Sequence, residues 1–443
     1  MTAQPISLGL NRPQYVATPE ALVSALAWRQ FHAPDAPPNS GLMYRTDNKG
    51  AGKVQIITTY PESSDQLRQF GEALTSAGFS ADMSLPREQM ALAFADAVLG
   101  IKPEKGQQHP AAPLTPHLAL LQSMRGYQRT MNPPDLGLIL EQLYALGVPT
   151  GSRVEGPSTR WLRAAEHKTA NDPVLGRLDK AAAEALLPRG LVRVTPSPVD
   201  GRAIADRSPF TWFVNAWNQL TDDRWVDALP ARVWVDWCCT VLRLGLGLGF
   251  LWETLFYDQY GRSRMRGEQP DARDIANLVA KTELVPWAPS DAHLGVRDVA
   301  SLLLGRIRRG DAVRKLLDRD QFDDRDIDEA LNNPGTAGNN VWEAIKYALK
   351  SREESGRYAD HYGLLRSRGR FTFVEPGAEW ITVLAGLTAG GPGRPTTVNR
   401  LMSTLFDMGL RPELRDVVLL LETAGLTRGS ADADDALEIT NAY

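Results

Sequence analysis

The residues able to do chemistry in this 443-residue chain are six histidines, two cysteines and several carboxylate runs, and their spacing decides what they can do. His32, His109, His117, His167, His293 and His361 are scattered, and none pairs with another histidine or a cysteine at the short intervals of a tetrahedral metal site. Glu166-His167-Lys168 could move a proton, but three charged residues in a row suit an exposed helix face better. Asp291, His293 and Arg297 form the best acid–base candidate, because a nearby carboxylate could orient the ring. Gly50-Ala51-Gly52-Lys53 is followed by Val54 and a β-branched run, where a phosphate loop needs Ser or Thr and then a helix, so it reads as a turn. The acidic stretch 318–329 puts Phe322 on a ligand position of a calcium loop in one register and Glu329 on its glycine in the other, so it reads as a solvated helix start. No G-x-S-x-G elbow is present. No catalytic residue, metal ligand or cofactor is assigned on this basis, and an enzyme ranks third behind two kinds of binding protein.

Arginine clusters carry a stronger signal. Arg262, Arg264 and Arg266 lie in GRSRMRG; Arg306, Arg308, Arg309, Arg314 and Lys315 lie in GRIRRGDAVRK; Arg366, Arg368 and Arg370 lie just before the last region. Guanidinium forks match phosphate and carboxylate geometry, so these eleven side chains are the candidate nucleic-acid-binding residues. Against this, the overall net charge is −4, and basic and acidic residues nearly cancel between Arg243 and Arg370. The competing expectation is an intramolecular ion-pair network.

The element around which the rest must be organised is residues 233–257, VWVDWCCTVLRLGLGLGFLWETLFY, the most apolar stretch of the chain. As a helix it would cover roughly 37 Å, enough to cross a bilayer. Asp236, Arg243 and Glu253 argue against a membrane, since a central charge costs about 2.5–3.5 kcal/mol on the insertion scale. The three could share one broad helix face directed at polar partners or water. Gly245, Gly247 and Gly249 are poor helix formers, tolerable where a neighbour needs close approach, and LGLGLG predicts a possible break. Cys238 and Cys239 are adjacent within it and suit neither a disulfide framework nor zinc, which points to a reducing, cytoplasmic compartment.

Periodicity and turn residues divide the chain into a small α/β region (1–112), a mixed segment (113–200), a helical body (201–370) and a last region (371–443). Helices are expected near 19–32 and 64–77, a strand at 54–60, and a linker at 102–116 on proline and polar density. The fold class is mainly α, multi-domain, with short β elements.

The last region is predicted to hold helices at 378–389, 397–408 and 412–424, then a strand at 435–440, and it closes on Leu421, Glu422, Gly425 and Leu426. Over about 65 residues this order resembles the winged-helix fold, with a wing between 427 and 434. Residues 113–200 resemble it more weakly through the helix 178–187, the turn Pro188-Arg189-Gly190 and the strand 191–195. The resemblance implies a third helix that enters the DNA major groove when it carries basic and polar side chains. Here Arg411 and Arg415 are offset by Glu413, Asp416 and Glu422, and the wing by Asp432, Asp434 and Asp435, a surface that repels phosphate. A protein-contacting winged helix is therefore the expectation: a non-enzymatic scaffold or accessory subunit with other protein subunits as partners and no membrane. Its assembly could be a bacterial one for DNA maintenance or defence against phage. The alternative is a sequence-tolerant DNA- or RNA-binding protein using the arginine clusters.

Overall fold

Thirty-five residues, Ala231–Met265, form one unbroken helix, and LGLGLG lies inside it. The intrinsic cost of three helical glycines is about 3 kcal/mol, and packing offsets it. Each glycine admits a different neighbour: a Cβ on Gly245 would lie 2.8 Å from the Phe213 ring, one on Gly247 2.6 Å from Leu349, and one on Gly249 2.8 Å from Leu143. The expected break is thus corrected. At each glycine a side chain of a surrounding segment lies against the central helix. Among the described residues it is the one helix long and apolar enough to cross a membrane, and it is buried in the protein's own core along nearly its whole length.

The structure is a computed structural model that describes residues 6–13, 18–32, 44–46, 54–56, 63–79, 86–99, 112–121, 135–187, 190–287, 298–319, 321–352, 359–369, 371–428 and 437–443. It is mainly helical, with short strands in small sheets. Helices Pro209–Leu220, Val299–Leu317, Asn339–Leu349, Asp324–Asn332 and Ala272–Ala280 pack round the central helix, and one apolar core runs from Leu8 to Ile439. A second, smaller core lies where Ser64–Ser76 and Arg87–Leu99 meet Pro173–Leu186, through Phe70, Leu74, Met90 and Leu178.

Local signals position these elements much as the side chains dictate. Ser63 and Gln66 form a capping box at the start of Ser64–Ser76, and Ser208, with Pro209 next to it, caps Pro209–Leu220. Asp323 and Asp326 form another capping box, so the acidic run is a helix start. The first helix is shorter than expected, Glu20–Trp28, because Phe31–His32 turns away to pair antiparallel with Val192–Arg193. Strand Val54–Ile56 pairs with Tyr44–Thr46, while residues 57–60 and residues 102–111 of the expected linker lie outside the described residues; the rest of that linker leads into helix Pro116–Ala119, capped by Thr115.

In the last region helix Ala378–Ala389 is followed by strand Thr396–Thr397, helices Val398–Asp407 and Leu414–Thr423, and strands Thr427–Arg428 and Glu438–Ile439. The last strand lies in the middle of a three-stranded antiparallel sheet, flanked by the other two. Residues 136–200 repeat the order: helix Leu136–Ala145, strand Arg153–Val154, helices Pro157–Asn171 and Pro173–Leu186, then strands Val192–Arg193 and Val199–Asp200. Again the first strand pairs with the last, Arg153 opposite Asp200.

Candidate functional site

The arginine clusters sit on two packed helices and one hairpin. Arg262 and Arg264 lie in the last turn of the central helix, which extends through Met265, and Arg266 is the residue at its C-terminal cap. Arg306, Arg308, Arg309, Arg314 and Lys315 lie on Val299–Leu317, which packs alongside. Asp258 joins the two, accepting from Arg262 Nε at 3.0 Å and from Arg309 Nε at 2.8 Å. Arg264 reaches Asp324 at 3.1 Å, and Arg266 forks onto Glu268 at 2.8 and 3.0 Å. Arg306 Nη1 donates to the carbonyls of Glu283 and Leu284, and burial pushes its pKa down. Arg308 donates to Asn339, Arg314 pairs with Asp311 and Asp318, and Lys315 pairs with Asp311. Arg366 pairs with Glu375 across the hairpin Leu365–Arg368/Phe371–Val374. Arg368 ends the first strand of that hairpin, and Arg370 lies outside the described residues. Two clusters therefore converge, with their cations turned onto the chain's own carboxylates and carbonyls.

The three charges of the central helix do not share one wet face. Arg243 and Glu253 are fully buried, and each has its own partners. Arg243 Nη1 forks onto Asp360 at 2.8 and 2.9 Å, its Nη2 donates to the Lys350 carbonyl at 2.7 Å, and its Nε to the Ala348 carbonyl. Arg352 adds contacts to Asp360 and to Glu20, and Arg232 pairs with Asp236 at 2.9 Å one helical turn away. Glu20 stands between Arg352 and Arg232, so three arginines and three carboxylates alternate along one wall. They line a cavity of about 280 Å³ that also exposes Asp96, Cys239 and Tyr362. Burial works to raise the Asp360 pKa, but Arg243 and Arg352 outweigh it and hold it below the ordinary value. For Asp236 burial wins over Arg232, and the pKa is pushed up to about 6.

That asymmetry makes a pH prediction. A carboxyl whose folded pKa is raised contributes stability fully present below its unfolded pKa, near 3.8, and lost as pH rises through about 6. Asp236→Asn, which keeps an acceptor for Arg232, should therefore be more stable than wild type at pH 7.5 by on the order of 2 kcal/mol, with the gap closing by pH 4. Urea titrations at pH 4, 6 and 7.5 check it. A gap that stays constant over that range would show that ionisation of Asp236 is not its origin.

The chemical candidates among the described residues are held by other parts of the chain. Glu166 pairs with Arg193, His167 with Asp227 at 2.8 Å, and Lys168 donates to the Val226 and Leu229 carbonyls. His117 Nδ1 donates to Asp179 at 2.8 Å, and the same carboxylate accepts from the Thr115 hydroxyl and the His117 amide at a helix start. Cys238 and Cys239 are buried, with thiol pKa values pushed well up by burial, so neither is an activated nucleophile. Among the described residues no group of histidine, cysteine and carboxylate side chains could hold a metal ion. Asp291, His293 and Arg297, like Gly50–Lys53, lie outside the described residues.

The last region offers a different surface. Helix Leu414–Thr423 buries Val417 and Leu421, and it leaves Leu414 55 % and Leu419 58 % exposed. Phe406 on the preceding helix is 41 % exposed. Arg415 is held by Glu413 at 3.0 Å, and Arg411 donates to the Ala280 carbonyl of the body. Compared with known proteins, the chain matches no family model and no curated protein.

Sequence reasoning missed the Glu20–Arg232–Arg352–Asp360 wall. The available signal was that Asp236, Arg243 and Glu253 interrupt an apolar helix, and buried charges require partners. Nothing in the local pattern says which partners.

Proposed function

We propose that the chain is a non-enzymatic scaffold or accessory subunit of a larger assembly, binding other protein subunits through a winged-helix module formed by residues 371–443. The observation that carries this is the exposure of two leucines, Leu414 and Leu419, on helix Leu414–Thr423. In a DNA-reading winged helix the corresponding helix offers basic and polar side chains to base edges and phosphates. Here it offers Leu414 and Leu419 amid Glu413 and Glu422, and its own arginine is tied to Glu413. Exposed leucines on a rigid helix suit a protein interface, and the surrounding carboxylates disfavour a phosphate backbone. The helix–strand–helix–helix–hairpin order and the central position of the last strand support the winged-helix assignment. The repeat of that order in 136–200 supports a second such module. The internal pairing of the described cluster arginines favours this reading over nucleic-acid binding by the body.

Native affinity purification of the wild-type chain and of a Leu414→Asp/Leu419→Asp variant tests it. Stoichiometric protein partners should accompany the wild type. Two lost anchors of about 1–2 kcal/mol each should weaken capture at least about tenfold while the melting curve is unchanged. Leu421→Asp, which buries a charge in the apolar core, should instead lower the melting temperature by many degrees. A wild-type monomer carrying nuclease-sensitive material would overturn the scaffold reading.

A further inference from the structure

The cavity of about 280 Å³ beside the ion-pair wall lies where three parts of the chain meet. Arg232, Asp236 and Arg243 reach it from one face of the central helix, Glu20 from the first helix, and Arg352 and Asp360 from the segment after Asn339–Leu349. Helix Arg87–Leu99, of the smaller core, adds Asp96, Ala97 and Val98. Small-molecule sites favour such junctions, and their volumes run from roughly 300 to 1,000 Å³, so this cavity suits a ligand at the small end of that range.

Part of the wall is saturated and part is not. Arg243 commits its guanidinium nitrogens to Asp360 and two carbonyls. Glu20 is 7 % exposed, yet it is held loosely: its Oε2 accepts from Arg352 Nη2 at 3.3 Å, and its Oε1 faces Arg232 Nη2 at 3.7 Å, beyond hydrogen-bond reach. Arg352 uses Nε and Nη2 for its carboxylates, and Arg232 does the same, so Nη1 of each has no acceptor among the described residues. A nearly buried carboxylate is short of a donor while two guanidinium edges are short of an acceptor.

Glu20, Asp96, Asp236 and Asp360 face Arg232, Arg243 and Arg352, four negative groups against three positive ones, so a lone cation or anion meets attraction and repulsion together. A ligand carrying both signs a short distance apart meets attraction at each. The rest of the lining includes the small apolar residues Pro19, Ala97, Val98, Ala112 and Ala359. We propose that the cavity binds a free α-amino acid with a small aliphatic side chain, its ammonium on Glu20, its carboxylate on the unused edges of Arg352 and Arg232, and its side chain toward Val98 and Ala112. Nothing in this depends on a protein partner or on Leu414 and Leu419, so it stands or fails apart from the scaffold reading.

Equilibrium dialysis of the purified full chain with radiolabelled L-valine and L-leucine tests it. At least one of the two should bind at one per chain with a Kd below about 1 mM. Isobutylamine and isopentylamine, which lack the carboxylate, and isovalerate and isocaproate, which lack the ammonium, should each compete at least about tenfold less well than the parent amino acid. Glu20→Gln keeps the size of the side chain and removes its charge, and it should weaken binding at least about tenfold; the comparison of competitors uses wild-type chain and does not depend on the variant folding. Saturable binding of neither amino acid up to about 10 mM would leave the wall an ion-pair network of structural role alone and overturn the proposal. So would an amine or a carboxylate that competes as well as its parent, which would mark a site for one charge, or undiminished binding by a folded Glu20→Gln chain, which would place the amino acid elsewhere.

Discussion

An Arg243→Ala chain should lose about 3–5 kcal/mol of stability, enough to leave much of it unfolded at 37 °C. The argument is one of desolvated charge. Arg243 is 1 % exposed and satisfies four acceptors at once: both oxygens of Asp360 and the carbonyls of Ala348 and Lys350. Those carbonyls lie at the end of helix Asn339–Leu349, where no further turn supplies a donor. Truncation leaves Asp360 without its main counter-charge, two unpaired carbonyls and a void against the central helix. Arg243→Lys keeps the charge but not the fork, and it should recover only part of the loss. Circular-dichroism melts of the two variants beside wild type check this. An Arg243→Ala melt within a few degrees of wild type would mean that water enters the 280 Å³ cavity and takes over the arginine's bonds.

The second large effect is expected from one methyl group. Gly310 sits where Val299–Leu317 crosses the central helix, and a Cβ there would lie 1.9 Å from the Thr254 carbonyl oxygen, far inside van der Waals contact. Backbone lies on both sides of that contact, so neither can give by rotating a side chain. Gly310→Ala should cost about 3 kcal/mol or more through separation of the two helices. Gly305, five residues earlier on the same helix, would place a Cβ near nothing but the far end of Arg309, at 3.8 Å. Gly305→Ala should accordingly be neutral or stabilising by up to about 1 kcal/mol, on helix propensity alone. Urea titration of the pair separates crowding from propensity, because a uniform penalty at both sites would leave the close crossing without a role. The crossing also carries Glu253 and Asp311 to either side of Arg12.

Local chemistry was legible in the sequence because it acts over a few residues. Ser63, Ser208 and Asp323 cap helices as their types and spacing require, and the apolar stretch 233–257 is the centre of the core. The glycines of LGLGLG were readable as points of close approach. Their effect on continuity was not, since intrinsic propensity costs about 1 kcal/mol per glycine and burial against Phe213, Leu349 and Leu143 outweighs it. The candidate sites divide along the same line. Arginine clusters are visible in sequence, but whether a guanidinium faces solvent or a carboxylate depends on residues brought near by folding: Arg309 meets Asp258 from 51 positions away, and Arg243 meets Asp360 from 117. Arg12 and Glu253 are 241 positions apart. The need of a buried charge for a partner belongs to its residue type, and so to the sequence. The identity of that partner, and with it the ion-pair wall and the pairing of Arg12, was decided by tertiary packing, because Coulombic attraction acts through space and leaves no period along the chain.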